Sequence, residues 1–76
     1  MRAELTVVFN VGTVQLHDGE EPYGDAWSVR KEDGPGPVPA AEVVLERMGW
    51  RPLGDWRQTA GGISGGVWEA DVEHVN

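Results

Sequence analysis

The chain has 76 residues, room for one domain whose small core buries only about 60% of the surface its unfolded form exposes. Hydrophobic residues make up 39% of it and four residues are Trp, which excludes a disordered chain; thirteen acids against six bases, a formal charge of −7, exclude general binding to a phosphate backbone. The absence of cysteine excludes disulfides, thiolate catalysis and cysteine-ligated zinc.

Met1 to Glu4 lead into a short apolar run with no small-residue cleavage site after it, and no apolar stretch approaches the ~20 residues of a membrane span. The expectation is a cytoplasmic protein without a signal peptide. Leu5, Val7, Phe9 and Val11 alternate at the period of a strand, and beyond Gly12 the phase slips by one to Val14 and Leu16. The pattern predicts one long strand from Glu4 to Leu16, bent or bulged at Gly12. With Val8 also apolar, both faces of that strand call for neighbours, which a partner chain would supply. His17 to Gly24 gathers turn formers and acids and predicts a solvated hairpin loop; Ala26 to Lys31 predicts a second strand with Trp27 and Val29 inward.

Glu32 to Pro39 holds three Pro and two Gly and serves as the connection at mid-chain. Pro39 suits a first helical position, and Ala41, Val44, Leu45 and Met48 then fall on one helical face. Gly49 stands where a left-handed cap belongs, with Trp50 placed to fold back on the last turn. Arg51 to Gly54 reads as a turn and Asp55 to Thr59 as a third strand with Trp56 inward. The Gly-rich connector 60–66 leads to the clearest strand, Val67 to Val75, with Trp68, Ala70 and Val72 on one face and Glu69, Asp71 and Glu73 on the other. Centring that hairpin near Ile63 sets Arg57 opposite Glu69 and Trp56 opposite Ala70. The fold class expected is α+β in a single domain, residues 1–76: a four-stranded antiparallel sheet with one helix packed on a face, in the order β-β-α-β-β.

Few residues suggest chemistry. The Gly-rich connector joins two strands and carries no Lys, unlike a phosphate loop. His17, Asp18 and Glu21 have ligand-type side chains but lack the spacing of a calcium loop or a hydrolase centre, so no cofactor, no metal and no catalytic residue is expected. The acids carry the distinctive pattern. Asp18, Glu20, Glu21 and Asp25 surround the first loop, and Glu69, Asp71 and Glu73 repeat along the last strand at about 6.6 Å, the spacing of alternate strand residues. These seven form the expected interaction surface.

Leu45 through Trp56, followed by a Gly-rich turn and Trp68 to Val72, resembles a helix–hairpin segment in small proteins of high-GC actinobacteria and their phages. Arg exceeds Lys five to one and Ile occurs once, usage in keeping with a GC-rich gene. The resemblance spans less than half the chain and implies no activity. Double-stranded-RNA-binding domains also place a helix beside a hairpin, but here two strands precede the helix and no basic cluster is present. The function expected is a small acidic non-enzymatic module, a regulator or accessory factor. Its partner would be another protein, self-association into a homodimer included, with no nucleic acid and no membrane. The alternative is a DNA-mimicking inhibitor of a DNA-binding protein, as phages and mobile elements encode.

Overall fold

In the computed structural model, which describes residues 1–9, 11–62 and 65–75, the first apolar run is two strands and not one. β1 (Arg2–Val8) and β2 (Val11–Asp18) form an antiparallel hairpin in which Val8 pairs with Val11, Leu5 with Val14 and Ala3 with Leu16. Paired residues of an antiparallel ladder share a face, so a pairing that joins odd positions to even ones shifts the apolar phase by one across the reversal. The slip near Gly12 marks that reversal, and the single bent strand expected there is corrected. Val14 and Leu16 consequently point into the core beside Leu5 and need no partner chain to cover them.

β3 (Glu21–Val29) runs back along β2. The solvated loop expected over residues 17–24 contracts to a turn between Asp18 and Glu21, which pair with each other, with Gly19 at a φ of 66°. Between the pairs Val14–Trp27 and Leu16–Tyr23 the two strands fall out of register, and β3 bulges opposite Gln15. The Gln15 amide donates to the carbonyls of Tyr23 and Gly24 at 3.3 and 3.1 Å, satisfying acceptors the ladder leaves over.

After one 3-10 turn at Lys31–Asp33, α1 spans Pro37–Arg47. It starts two residues before Pro39, with Gly36 as its N-cap and two prolines in the first turn, where a missing N–H costs nothing. Gly49, at a φ of 86°, ends it in the left-handed conformation that the sequence predicts. Ala40, Ala41, Val44 and Leu45 are buried, whereas Met48 lies past the last helical residue and is exposed, not on the apolar face as expected.

Three strands follow: β4 (Trp50–Pro52), β5 (Arg57–Gly62) and β6 (Gly65–His74). Trp50 and Pro52 thus belong to a strand that sequence reasoning assigned to a cap contact and a turn. Proline is tolerated there because β4 is an edge strand. β6 pairs with β1 along one side; on its other side β5 occupies the first half, up to Glu69, and β4 the second, from Val72 to His74. The sheet has six strands in the spatial order β3-β2-β1-β6-β4, with β5 also on β6. This overturns the expected four-stranded sheet in the order β-β-α-β-β: splitting the first run and adding β4 gives β-β-β-α-β-β-β. Arg57 does pair with Glu69, but β5 begins after Trp56, which packs beside the core instead of pairing with Ala70. Ile63, the expected hairpin centre, lies outside the described residues.

Ala3, Leu5, Val14, Leu16, Val29 and Val72 of the sheet meet the four buried helix residues in one core. Ala40 and Ala41 let the helix approach closely, and Trp27, Trp50, Trp56 and Trp68 wall the core as half-buried side chains. Trp50 meets Tyr23 and His74 edge-on, with ring centroids 6.1 and 5.0 Å apart.

The 3-10 turn is tied to both neighbours by Asp33. Its carboxylate accepts the Arg30 backbone N–H at 3.0 Å and an Arg47 guanidinium N–H at 2.7 Å, and these donors hold its pKa below the ordinary 3.8. A carboxyl group depressed by folding stabilises the protein above its ordinary pKa and loses that contribution as pH falls through the depressed value. The variant Asp33→Asn is expected to melt below the parent at neutral pH, with the gap closing in acid below the ordinary carboxyl range. Thermal melts of both proteins across that pH span check this; a gap that stays constant with pH would show that the ionised form contributes nothing.

Candidate interaction surface

One face of the sheet packs on α1 and the other carries the polar side chains. On the polar face the registers align residues in rows: His17, Arg2 and Asp71 in one, Gln15, Glu4, Glu69 and Arg57 in the next, and Thr13, Thr6 and Val67 beyond. Glu69, Asp71 and Glu73 share this face on β6 as expected, but the fold brings arginines to two of them. Glu69 meets Arg2 at 3.5 Å and Arg57 at 3.4 Å, and Glu73 pairs with Arg51 from β4. Arg2 and Arg51 come from strands remote in sequence, so sequence reasoning found only Arg57. Exposed pairs of this kind contribute about 0–1 kcal/mol each; their consequence is that the carboxylate ladder is largely charge-matched.

Asp18, Glu20, Glu21 and Asp25 lie apart from that ladder. Asp18 and Glu21 flank the β2–β3 turn, Glu20 is within it and Asp25 sits at the β3 bulge, all four exposed. They form an acidic end of the molecule with no ion pair among the described residues. His17 projects beside them on the polar face, 4.0 Å from the Glu4 carboxylate. Among the described residues no three His, Cys, Asp or Glu side chains are grouped to hold a metal ion, and no helix is long and apolar enough to cross a membrane.

The opposite end of the sheet is apolar; sequence reasoning pointed to Val8 there, but not to Phe9 and Val11 as exposed residues. Val8, Phe9 and Val11 at the β1–β2 reversal are 55%, 74% and 66% exposed. Phe9 adopts a φ of 55°, a left-handed conformation uncommon for a bulky residue and costing about 1–2 kcal/mol. Next to Phe9, between the ends of β1 to β3 and the start of α1, is an open cavity of about 400 Å³, within the range of small-molecule sites. Gly12, on the helix-facing side of β2 between Val7 and Val29, lines it, and Gly34, Gly36 and Ala40 form its far wall. Arg30 and Lys31 also line it. The signal was present in the adjacent apolar pair Val8–Phe9, which a strand cannot turn to one face.

No protein-family model matches this chain, and no curated protein or solved structure is significantly similar to it.

Proposed function

We propose that this protein is a small non-enzymatic interaction module that binds another protein, and that the β1–β2 end is its principal contact. The observation that carries this reading is the exposed apolar group Val8, Phe9 and Val11, left uncovered at a hairpin reversal that small polar turn residues would serve as well. An apolar tip of this kind contributes most when a partner removes it from water, at about 25 cal/mol per Å². The acidic end around Asp18, Glu20, Glu21 and Asp25 would orient such a partner by charge and set its salt dependence. The DNA-mimic alternative draws support from those four acids and Asp71; the arginines on Glu69 and Glu73 weigh against it, since a mimic needs an unbroken row of negative charge.

The test is light scattering and affinity capture from source cells, with the parent and with Phe9→Ser/Val11→Ser as baits. A partner, a second copy included, that the parent holds and the double variant loses is the expected result. A parent that stays monomeric and retains nothing overturns the module; a partner retained equally by both overturns the tip as the contact.

A further inference from the structure

Charge around the cavity beside Gly12 is distributed unlike the rest of the molecule. Of the six basic side chains, Arg2, Arg47, Arg51 and Arg57 are each paired with a carboxylate. Among the described residues Arg30 and Lys31 form no ion pair, and both line this one cavity. In a chain with more than two acids per base, the two cations left over are adjacent and sit at an apolar recess. The recess is walled by hydrocarbon from Val7, Phe9, Val29 and Pro37, and Gly12 and Ala40 also line it.

We infer that this cavity is a binding site for a small aliphatic carboxylate, its tail against Val7, Val29 and Phe9 and its head group between Arg30 and Lys31. The tail gains by leaving water. The guanidinium of Arg30 offers paired donors that match a carboxylate's two oxygens, and Lys31 adds a mobile point charge. A monoanion suits the site better than a phosphate dianion, because Asp33, engaged by Arg47 and the Arg30 N–H, also draws on the Arg30 charge and leaves the recess with less than two full positive charges. The site stands independently of the protein-partner reading, since it needs no second chain.

The experiment is an amide-correlation NMR titration of the full chain with sodium octanoate. Saturable shifts are expected at Gly12, Val29, Arg30, Lys31, Gly34 and Ala40. Octyltrimethylammonium, with the same tail and the opposite charge, should bind at least about tenfold more weakly, and acetate, the head group without the tail, should give no saturation. The double variant Arg30→Gln/Lys31→Gln changes two exposed side chains, so its spectrum should otherwise match the parent's, and its octanoate affinity should fall about tenfold or more. Shifts scattered over other faces, equal binding of the cationic detergent, or an unchanged affinity in the double variant would each overturn the assignment.

Discussion

Leu45→Ala is expected to remove about 2–5 kcal/mol of stability, the usual range for truncating a fully buried leucine. Leu45 has no exposed surface and, with Val44, is one of only two large aliphatic side chains that α1 buries; the other buried helix residues are Ala40 and Ala41. Among the described residues α1 is the helix that packs on the apolar face of the sheet, so its hold on Leu5, Val14 and Leu16 depends heavily on this side chain. A 76-residue domain has a total stability of about 4–11 kcal/mol, so the variant stands near its unfolding threshold. At about 4–8 °C per kcal/mol the melting temperature should fall by at least about 8 °C. Met48→Ala, at a residue half exposed beyond the helix end, should change stability by no more than about 0.5 kcal/mol. Denaturation of both by circular dichroism distinguishes them, and comparable small losses would mean that the helix does not anchor the core.

The second large effect is expected at Gly65, where the contact is with backbone. Gly65 pairs with Val8 at the end of the β1–β6 ladder, and a Cβ there would overlap the Val7 carbonyl oxygen and lie 2.6 Å from its carbon. A neighbouring strand's backbone cannot move aside as a flexible side chain can, so Gly65→Ala must open this end of the ladder. The expected loss is about 1–3 kcal/mol, with faster amide hydrogen exchange at the Val7 to Val8 end of β1. Gly54→Ala is the matched control: a Cβ there meets nothing within 4 Å, and reduced freedom in the unfolded chain should make it neutral or stabilising by up to about 1 kcal/mol. Equal stability of the two variants would refute the steric argument.

Much of the local structure was legible in the residues themselves. Gly49 ends the helix because a left-handed position favours glycine; Ala41, Val44 and Leu45 are buried because they recur at the helical period; Arg57 faces Glu69 because a short hairpin leaves little choice of register. The first hairpin was misread because one apolar phase slip has two causes, a bulge and a reversal, and alternation by itself does not separate them. β4 was missed because three residues containing a proline carry no strand period; only an open edge on β6 makes Trp50 to Pro52 a strand. The candidate site was legible in part. Glu69, Asp71 and Glu73 share the face that alternation gives them, whereas Glu21 lies in β3 and not in the expected loop; the electrostatic meaning of the ladder depends on Arg2 and Arg51, which long-range pairing delivers.

By itself, then, the sequence determined a small cysteine-free domain with a strongly acidic surface, one short capped helix and a charged final strand, since each of these follows from composition or from interactions within a few residues. Tertiary structure decided the six-strand order, the arginine pairing of Glu69 and Glu73 on β6 and the cavity lined by Arg30 and Lys31. Each of those joins residues far apart in the chain, such as Gly12 with Ala40 or Arg2 with Glu69, and no local pattern records which distant surfaces meet when the apolar face of the sheet is covered.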